Sequence, residues 1–250
     1  MARAIAGANW RDAACYRRLI AGDRACFAWE WLRRSPDYVE AWSTGAAAAP
    51  FGLHRLEDPR HDSLVARPFW RADFCRSVLI GRACVALDSD DVLDLSRFTG
   101  LSSVLLRASS DPVDHLLLSD GLRSIRIDVI EGSLAEGPAS MCWLFDGIVG
   151  ARPQLKTLQQ LIAVAANGRF MPSYHPPERR AGRWLDMLRV HDAQAVGAHY
   201  REIAAELFQL DLSAPRWRAE AAPWRLRVQR LAGSARVCLA RPPADWLSEG

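Results

Sequence analysis

The spacing of hydrophobic positions changes twice along this 250-residue chain. Apolar and aromatic residues recur at helical spacing up to about residue 45, alternate with a period of two through the middle, and return to helical spacing after residue 151. A period near 3.6 indicates helices and a period of two indicates strands. We therefore predict an α+β protein with an N-terminal helical module (1–45), a linker (46–65), a small, mainly antiparallel β-sheet domain (66–150), a connecting helix and hinge (151–176) and a C-terminal helical domain (177–250).

The N-terminal module is rich in tryptophan. Phe27, Trp31 and Arg34 fall at i, i+4 and i+7, which predicts a helix with one apolar stripe. Trp29 lies off that stripe. Its indole is expected either in the core, because tryptophan buries a large area, or at a contact with another domain or chain.

The middle of the chain predicts strands. Ile125, Ile127 and Val129 alternate with charged residues, which is typical of a sheet with one buried face. Asp120-Gly121 stands between two such runs, and both positions tolerate the positive φ of a tight hairpin turn. After the strands, one helix is predicted to pack Leu155, Leu158, Ile162 and Ala165 against the sheet.

Three further helices are predicted in the C-terminal domain. In the first, Trp184, Leu185 and Leu188 point inward while Arg183 and Arg189 stay in solvent. A Gly197-Ala198 break precedes the second, whose apolar stripe is Tyr200, Ile203, Ala204 and Leu207.

The third helix is predicted to begin at Pro223, since proline suits a first helical turn. Trp224, Val228 and Leu231 cluster on one side, and the opposite side carries Arg225, Leu226, Arg227, Gln229 and Arg230. This layout is typical of a helix-turn-helix domain that binds duplex DNA. In a major groove, Arg225 and Gln229 would contact base edges, Leu226 a thymine methyl group, and Arg227 and Arg230 phosphates.

The distribution of charge supports this interpretation more than its total does. The net charge is only +3, but the stretch from Glu178 to Arg241 holds twelve arginines against seven acidic residues. Arginine suits phosphate and guanine because its guanidinium forms paired hydrogen bonds. The competing interpretation is that these arginines are simply the solvated face of a helix.

No catalytic or metal-binding motif is found. The six cysteines show no C-x-x-C spacing and are expected to be reduced thiols. His54, Asp58, His61 and Asp62 are better explained by an Asp-Pro turn than by a metal ion, and a dyad of His115 with Asp114 has no distinguishing spacing. We therefore expect no enzyme, no cofactor and no metal. Without a signal peptide or a long apolar run, a cytoplasmic, nucleoid-associated protein with no membrane contact is expected.

Three segments of the C-terminal domain form a recognisable pattern: Pro176-Pro177-Glu178-Arg179-Arg180, Tyr200-Arg201-Glu202-Ile203-Ala204 and the arginines after Trp224. With these segments, the domain resembles the DNA-binding domain of RovC-like transcription factors. Upstream, the segment AWEWLRRSPDY resembles a transcriptional-regulator-like module often found with that domain. The resemblance implies a bacterial transcription regulator acting on type VI secretion or mobile-element transfer genes. Together with the exposed arginine face, it leads to the hypothesis of a transcriptional activator.

This chain departs from that family pattern at its end, where Gln229, Gly233 and Ser234 interrupt the basic run and leave fewer phosphate contacts. The expected partners are double-stranded promoter DNA, RNA polymerase and further copies of the chain. The alternative function is a regulatory protein-interaction module with weak DNA binding, motivated by Trp29, Trp42, Trp217 and Trp246. The expected DNA-contacting residues are Tyr200, Arg201, Arg216, Arg218, Arg225, Leu226, Arg227, Gln229 and Arg230.

Overall fold

The computed structural model describes residues 9–85, 91–107, 112–210 and 214–248, without the side chains of Val85 and residues 214–221. Helices precede and follow a central sheet, so the α+β class is confirmed. The helices are α1 (Ala13–Arg17), α2 (Arg24–Leu32), α3 (Pro36–Thr44), α4 (Arg152–Asn167), α5 (Ala181–Ala195), α6 (Tyr200–Phe208), α7 (Ala214–Leu239) and α8 (Pro243–Ser248). The strands are β1 (Leu79–Val85), β2 (Ser102–Leu106), β3 (Asp114–Ser119), β4 (Ser124–Glu131) and β5 (Ala139–Leu144).

The sheet has the strand order β2-β3-β4-β1-β5. The β3–β4 hairpin turns at Asp120-Gly121 as predicted, with Gly121 at φ 89°. The sheet is mixed, however, because β1 pairs in parallel with β4 while the other three pairings are antiparallel. A parallel neighbour needs a long connection, and the residues between β1 and β4 supply it.

Helix α2 is buried on all sides rather than along one stripe. Asp23 caps its first turn by accepting the N–H of Cys26, and every residue from Cys26 to Leu32 is buried. Trp29 is fully buried and donates from Nε1 to the carbonyl of His61 at 3.1 Å. The core alternative for this tryptophan is therefore correct, and a helix that is apolar all round belongs inside a protein.

The two ends of the chain share one hydrophobic core. Trp246 of α8 stacks on Trp31 of α2 at 6.3 Å between ring centroids, and it meets Trp184 of α5 edge-on at 4.9 Å. Phe27 of α2 also contacts Trp184 edge-on at 4.9 Å. Aromatic pairs of this kind add to the stabilisation from burial. The N-terminal and C-terminal helices consequently fold against each other.

A buried ion network crosses this core. Arg34 donates to both carboxylate oxygens of Asp192 at 2.8 Å and to Glu30 Oε2 at 2.7 Å. Glu30 also accepts from Arg33 at 2.8 Å, and Asp192 accepts from the Tyr16 hydroxyl at 2.7 Å. Buried charges are tolerated only when they are paired in this way. The network therefore depends on residues from both ends of the chain being in place.

The central strands are buried on both faces, which corrects the prediction of one buried face. Every residue of β3 is buried, and Arg126 and Asp128 on β4 are only 4% and 7% exposed. Arg126 donates to the carbonyl of Trp70 at 3.0 Å and to Asp128 at 2.9 Å. The alternating charged residues thus face the N-terminal segment rather than water.

Helix α4 covers the other face of the sheet with a different stripe from the predicted one. Leu161 and Val164 are buried there, whereas Leu155 and Ile162 are 46% and 61% exposed. The helix is rotated because Gln154 also turns inward and donates to the carbonyl of Val78 at 3.1 Å. Of the four predicted positions, Leu158 packs against the core, whereas Leu155, Ile162 and Ala165 are exposed and were wrong.

Helix α7 begins nine residues earlier than predicted. It runs from Ala214 and contains Pro223 in its interior. Pro215, in the first turn, occupies the position that the prediction gave to Pro223. Proline inside a helix removes one hydrogen bond, and here the buried stripe beyond Pro223 compensates by packing on α5.

The cysteines and the longest helices bear on two features of the chain, its thiols and its relation to a membrane. All six cysteines are free thiols. Among the described residues, no helix has both the length and the apolar character that a transmembrane span requires.

Replacing Arg34 with methionine is expected to lower the free energy of unfolding by about 3–5 kcal/mol, because Glu30 and Asp192 lose their shared buried partner. Urea unfolding followed by circular dichroism measures this. The matched control is Arg76→Met, since Arg76 is exposed. A loss below about 1 kcal/mol at Arg34, like that of an exposed pair, would contradict the account.

The same network predicts a dependence on pH. Burial alone would raise the pKa of Glu30 and Asp192, but neighbouring guanidiniums outweigh it and hold each pKa below its ordinary value. A carboxyl group whose pKa is lower in the folded protein than in the unfolded chain stabilises the fold. That contribution is complete at pH values above the pKa in the unfolded chain, about 4, and it is lost as the pH falls through the pKa in the folded protein. The stability difference between wild type and Arg34→Met should therefore persist at neutral pH and shrink below about pH 4. A difference that is independent of pH would exclude this mechanism.

Candidate nucleic-acid interface

Helices α5, α6 and α7 form a three-helix bundle in which α7 packs against both others. Four residues join α5 to α6, and Gly197 among them has φ 79°. Five residues separate α6 from α7, and the first of these, Gln209, takes the left-handed conformation at φ 52°. Short connections of this kind keep consecutive helices in contact.

The first two helices of the bundle match their predicted faces with one exception. Trp184, Leu185 and Leu188 of α5 are buried, and so are Ile203 and Ala204 of α6. Arg189, predicted in solvent, is 7% exposed and donates from Nε to the carbonyl of Trp10 at 3.0 Å. That prediction was wrong because the partner carbonyl lies 179 residues away in the sequence.

Helix α7 has a buried side and an outer side. Val228, Leu231, Ala232 and Ala235 are buried against the core. On the outer side, Leu226 is 46% exposed. The residues around Leu226 on the exposed surface are Arg225, Arg227, Gln229 and Arg230. These five residues are called the α7 outer face below.

An aromatic contact holds one arginine of the α7 outer face. Phe208, the last residue of α6, lies 5.1 Å from the ring of Trp224, and the Arg227 guanidinium lies 4.3 Å above the Phe208 ring. A cation stacked on a ring loses side-chain freedom before it meets any ligand. The edge of the guanidinium remains available for hydrogen bonds, since stacking uses only its flat face.

The remaining residues that were predicted to contact DNA differ in their exposure. Arg201 is exposed at the start of α6, whereas Tyr200 is half-buried against the core. The side chains of Arg216 and Arg218 lie outside the described residues. Arg183 is exposed, as predicted, and donates to Ser234 of α7 at 3.3 Å. Arg236 is also exposed, and neither arginine was among the expected DNA-contacting residues. Helical spacing from Gln229 to Arg236, seven positions on, was the available signal for Arg236.

The electrostatics of the α7 outer face are dominated by cations. Within the described part of the chain, Arg227 and Arg230 form no salt bridge with an acid. Arg227 influences one acid on α5, Asp186: partial burial raises the pKa of Asp186, and the positive charges of Arg189 and Arg227 oppose that shift. The positive charge of Arg227 and Arg230 at the surface attracts polyanions.

Two of the four tryptophans that motivated the alternative function are buried inside the protein. Trp29 and Trp246 are 0% and 1% exposed. Trp42 is half-buried beneath the Arg60 guanidinium, which lies 5.3 Å from its ring. The side chain of Trp217 is outside the described residues.

One group of described residues has the composition of a metal site. Ligand atoms of His54, His115 and Asp128 lie within 4.8 Å of one another. Asp128 Oδ1, however, is already bonded to His115 Nδ1 at 2.7 Å and to the Arg126 guanidinium at 2.9 Å. A guanidinium bound to the same carboxylate oxygen opposes a second cation. The hydrogen bonds of this group join His115, Asp128 and Arg126. Burial, with His115 and Arg126 nearby, lowers the pKa of His54 to about 4, so its imidazole is neutral near pH 7, and its buried Nε2 has no hydrogen-bond partner among the described residues.

The two other chemical alternatives have structural explanations. Asp58 accepts the backbone N–H of Arg60 at 2.8 Å, which is the turn that the Asp-Pro sequence predicts. Asp114 accepts from the Ser133 hydroxyl at 2.8 Å and pairs with Arg107, so its partner is not His115.

The architecture defines a class of protein: an α+β chain whose C-terminal helical bundle exposes arginines along one helix. Comparison with known families then identifies both ends. Residues 149–241 match the RovC DNA-binding domain, described as a T6SS transcription factor DNA-binding domain, and residues 9–74 match a proteobacterial transcriptional regulator-like domain. The resemblance drawn from the sequence is therefore confirmed, and the matches indicate a transcriptional regulator with a DNA-binding domain. No curated protein and no solved structure matches the chain.

The stacking of Arg227 on Phe208 predicts a measurable coupling. In a double-mutant cycle of Arg227→Gln and Phe208→Leu, the double variant should lose less unfolding free energy than the sum of the losses in the two single variants. The expected difference is about 0.5–1 kcal/mol. Urea unfolding of the four proteins gives this number, and a cycle of Arg230→Gln with Phe208→Leu is the control. Strict additivity at Arg227 would show that the stacking contributes nothing.

Proposed function

We propose that this protein binds duplex DNA in a sequence-specific manner through the α7 outer face and acts as a transcriptional activator. The observation that carries the proposal is the exposed arginine side of α7, inside a segment that matches a DNA-binding family. In this proposal α5, α6 and α7 form a helix-turn-helix domain with α7 as the helix that enters the major groove.

The geometry of α7 supports that assignment. The connector from α6 has five residues, whereas a helix beginning at Pro223 would leave fourteen after Phe208, and the shorter connector is closer to a helix-turn-helix turn. At a rise of 1.5 Å per residue the helix is about 39 Å long, enough to lie along a groove and reach phosphates on both sides. Arg225 and Gln229 are one turn apart on it, which suits contacts to neighbouring guanine and adenine edges.

The other members of the α7 outer face have different roles in the proposal. Leu226 contacts a thymine methyl group, and Arg230 and Arg227 contact phosphates. Arg227 binds at a lower entropic cost than an unrestrained arginine because Phe208 already holds it. Arg201, at the start of α6, adds a backbone contact.

The number of contacts sets the expected affinity. With about five phosphate contacts, the slope of log binding constant against log salt is near −4.5. A contact set of this size favours binding by more than one copy, so we propose a homo-oligomer that acts with RNA polymerase at promoters. The T6SS description of the matching family supports type VI secretion genes as targets, with mobile-element transfer genes as a further class.

Replacing Arg225, Arg227 and Arg230 together with alanine is expected to weaken binding to a selected promoter fragment by at least 100-fold, because a base contact and two phosphate contacts are lost. The salt slope should fall to about −2.7, since Arg227 and Arg230 are two of the five phosphate contacts. Fluorescence anisotropy over a salt series measures both. The control variant is Arg17→Ala, Arg76→Ala, Arg169→Ala, which removes equal charge from exposed positions elsewhere.

The comparison of the two triple variants separates the α7 outer face from the general effect of charge. If both variants lose affinity equally, net charge alone accounts for binding. If the α7 variant retains its fold by circular dichroism and binds as tightly as wild type, the assignment of α7 is wrong.

A further inference from the structure

A cavity of about 360 Å³ opens where the two family-matched segments meet the sheet. Its wall combines the start of α2, the β3–β4 turn, the first half of α4 and the Pro176-Pro177 hinge. The volume lies within the range of small-molecule sites, about 300–1,000 Å³. The prolines of the hinge have a fixed backbone, so this part of the wall is rigid before any ligand arrives.

The wall carries an excess of positive charge. It includes Arg24, Arg123, Arg126, Lys156 and Arg179, against only two acids, Asp23 and Glu178. Both acids already form an ion pair or hydrogen bonds within the protein.

The contacts of these two acids show how they are used. Glu178 pairs with Arg24 at 3.0 Å. Asp23 accepts the backbone N–H groups of Cys26 and Ser124 at 2.8 and 3.0 Å. The cations on the wall that form no ion pair with a described acid are Lys156 and Arg179, both exposed. A ligand in the cavity would therefore meet net positive charge.

The same wall holds buried nitrogen atoms that lack hydrogen-bond partners. Among the described residues, Trp70 Nε1, Arg123 Nε and His175 Nε2 are buried without a partner, and all three residues line the cavity. Trp70 and His175 are 1% and 8% exposed. Each buried polar group left unpaired costs about 1–3 kcal/mol, so their occurrence together in one wall is unusual. The indole and guanidinium nitrogens can only donate, which specifies an acceptor-rich ligand.

We propose that this cavity is a binding site for a small organic anion, a metabolite that carries a phosphate or carboxylate group. Arg123 and Lys156 bind the anionic group, Trp70 donates to a ligand acceptor atom, and Arg179 lies at the exposed rim. His175 donates to the carbonyl of Met171 through Nδ1 at 3.3 Å, which leaves Nε2 to accept from a ligand hydroxyl.

The position of the cavity suggests that a bound anion also changes the affinity for DNA. This part of the proposal rests on the proposed DNA-binding function. The wall contains residues of both family-matched segments. Arg24 and Trp70 belong to the segment that matches the transcriptional regulator-like domain. Lys156 and Glu178 belong to the segment that matches the DNA-binding domain. An anion held by both segments stabilises their packing, and a ligand that favours one arrangement changes affinity at a distant site. The cavity is then an effector site for DNA binding.

Isothermal titration calorimetry on the full chain, at constant ionic strength, tests anion binding without DNA. The phosphate probe is AMP with adenosine as its neutral control, and the carboxylate probe is citrate with glycerol as its control. At least one anion should bind at millimolar concentration or below and raise the melting temperature, while its neutral control should do neither. Whichever anion binds identifies the anionic group. Failure of both anions overturns the proposal.

Variants locate the binding on the cavity wall. Lys156→Gln with Arg179→Gln changes only exposed residues, so the fold should be retained, and the affinity for the bound anion should fall at least tenfold. Arg123→Gln should have a similar effect, whereas the exposed Arg169→Gln should leave the affinity unchanged. Equal binding by wild type and the double variant would show an adventitious surface contact and overturn the proposal.

The effect on DNA is measured separately by anisotropy with and without the bound anion, and a change of several-fold in DNA affinity is expected. Unchanged DNA affinity with normal anion binding removes the effector role alone. A chain that binds the anion but no DNA contradicts the proposed function and leaves the anion site standing.

Discussion

The fold depends on the pairing of Arg34 with Asp192, which lie 158 residues apart in the chain. This ion pair, with Glu30 and Tyr16, is buried in a core made by the first and last helices together. Asp192 could not stay charged there without the Arg34 guanidinium, because the desolvation of an unpaired charge is too costly, whereas Glu30 is also paired with Arg33. The N-terminal and C-terminal segments therefore stabilise each other, and the sheet is held between them and α4.

That arrangement explains why two family segments occur in one chain around a sheet. The regulator-like segment covers the polar face of β3 and β4, and the DNA-binding segment contributes α4 to the opposite face. Glu178, in the Pro-Pro-Glu-Arg-Arg sequence before α5, pairs with Arg24 at the start of α2. Residues that introduce the DNA-binding bundle thus also hold it to the N-terminal helices. A ligand in the cavity beside this pair would act on both segments.

Much of the fold could be predicted from periodicity, because local spacing determines which face of an element is apolar. The hairpin at Asp120-Gly121 and the buried stripe of Val228 and Leu231 are examples. Buried charges could not be predicted this way. Arg126 and Arg189 look like solvent positions in the sequence, and only distant carbonyl partners make their burial possible. The start of α7 was wrong because tertiary packing carries the helix through Pro223. For the candidate site, the exposed arginines of α7 could be read from helical geometry, while the Arg227–Phe208 contact required the fold.

We propose that α7 reads DNA sequence from a bundle held in place by the N-terminal helices. This proposal is tested most directly by mixing the purified full-length protein with fragmented genomic DNA of its host at near-physiological salt and sequencing what it retains. The account predicts enrichment of fragments that share a short motif upstream of a limited set of genes. Recovery of fragments in proportion to their abundance, with no shared motif, would contradict it.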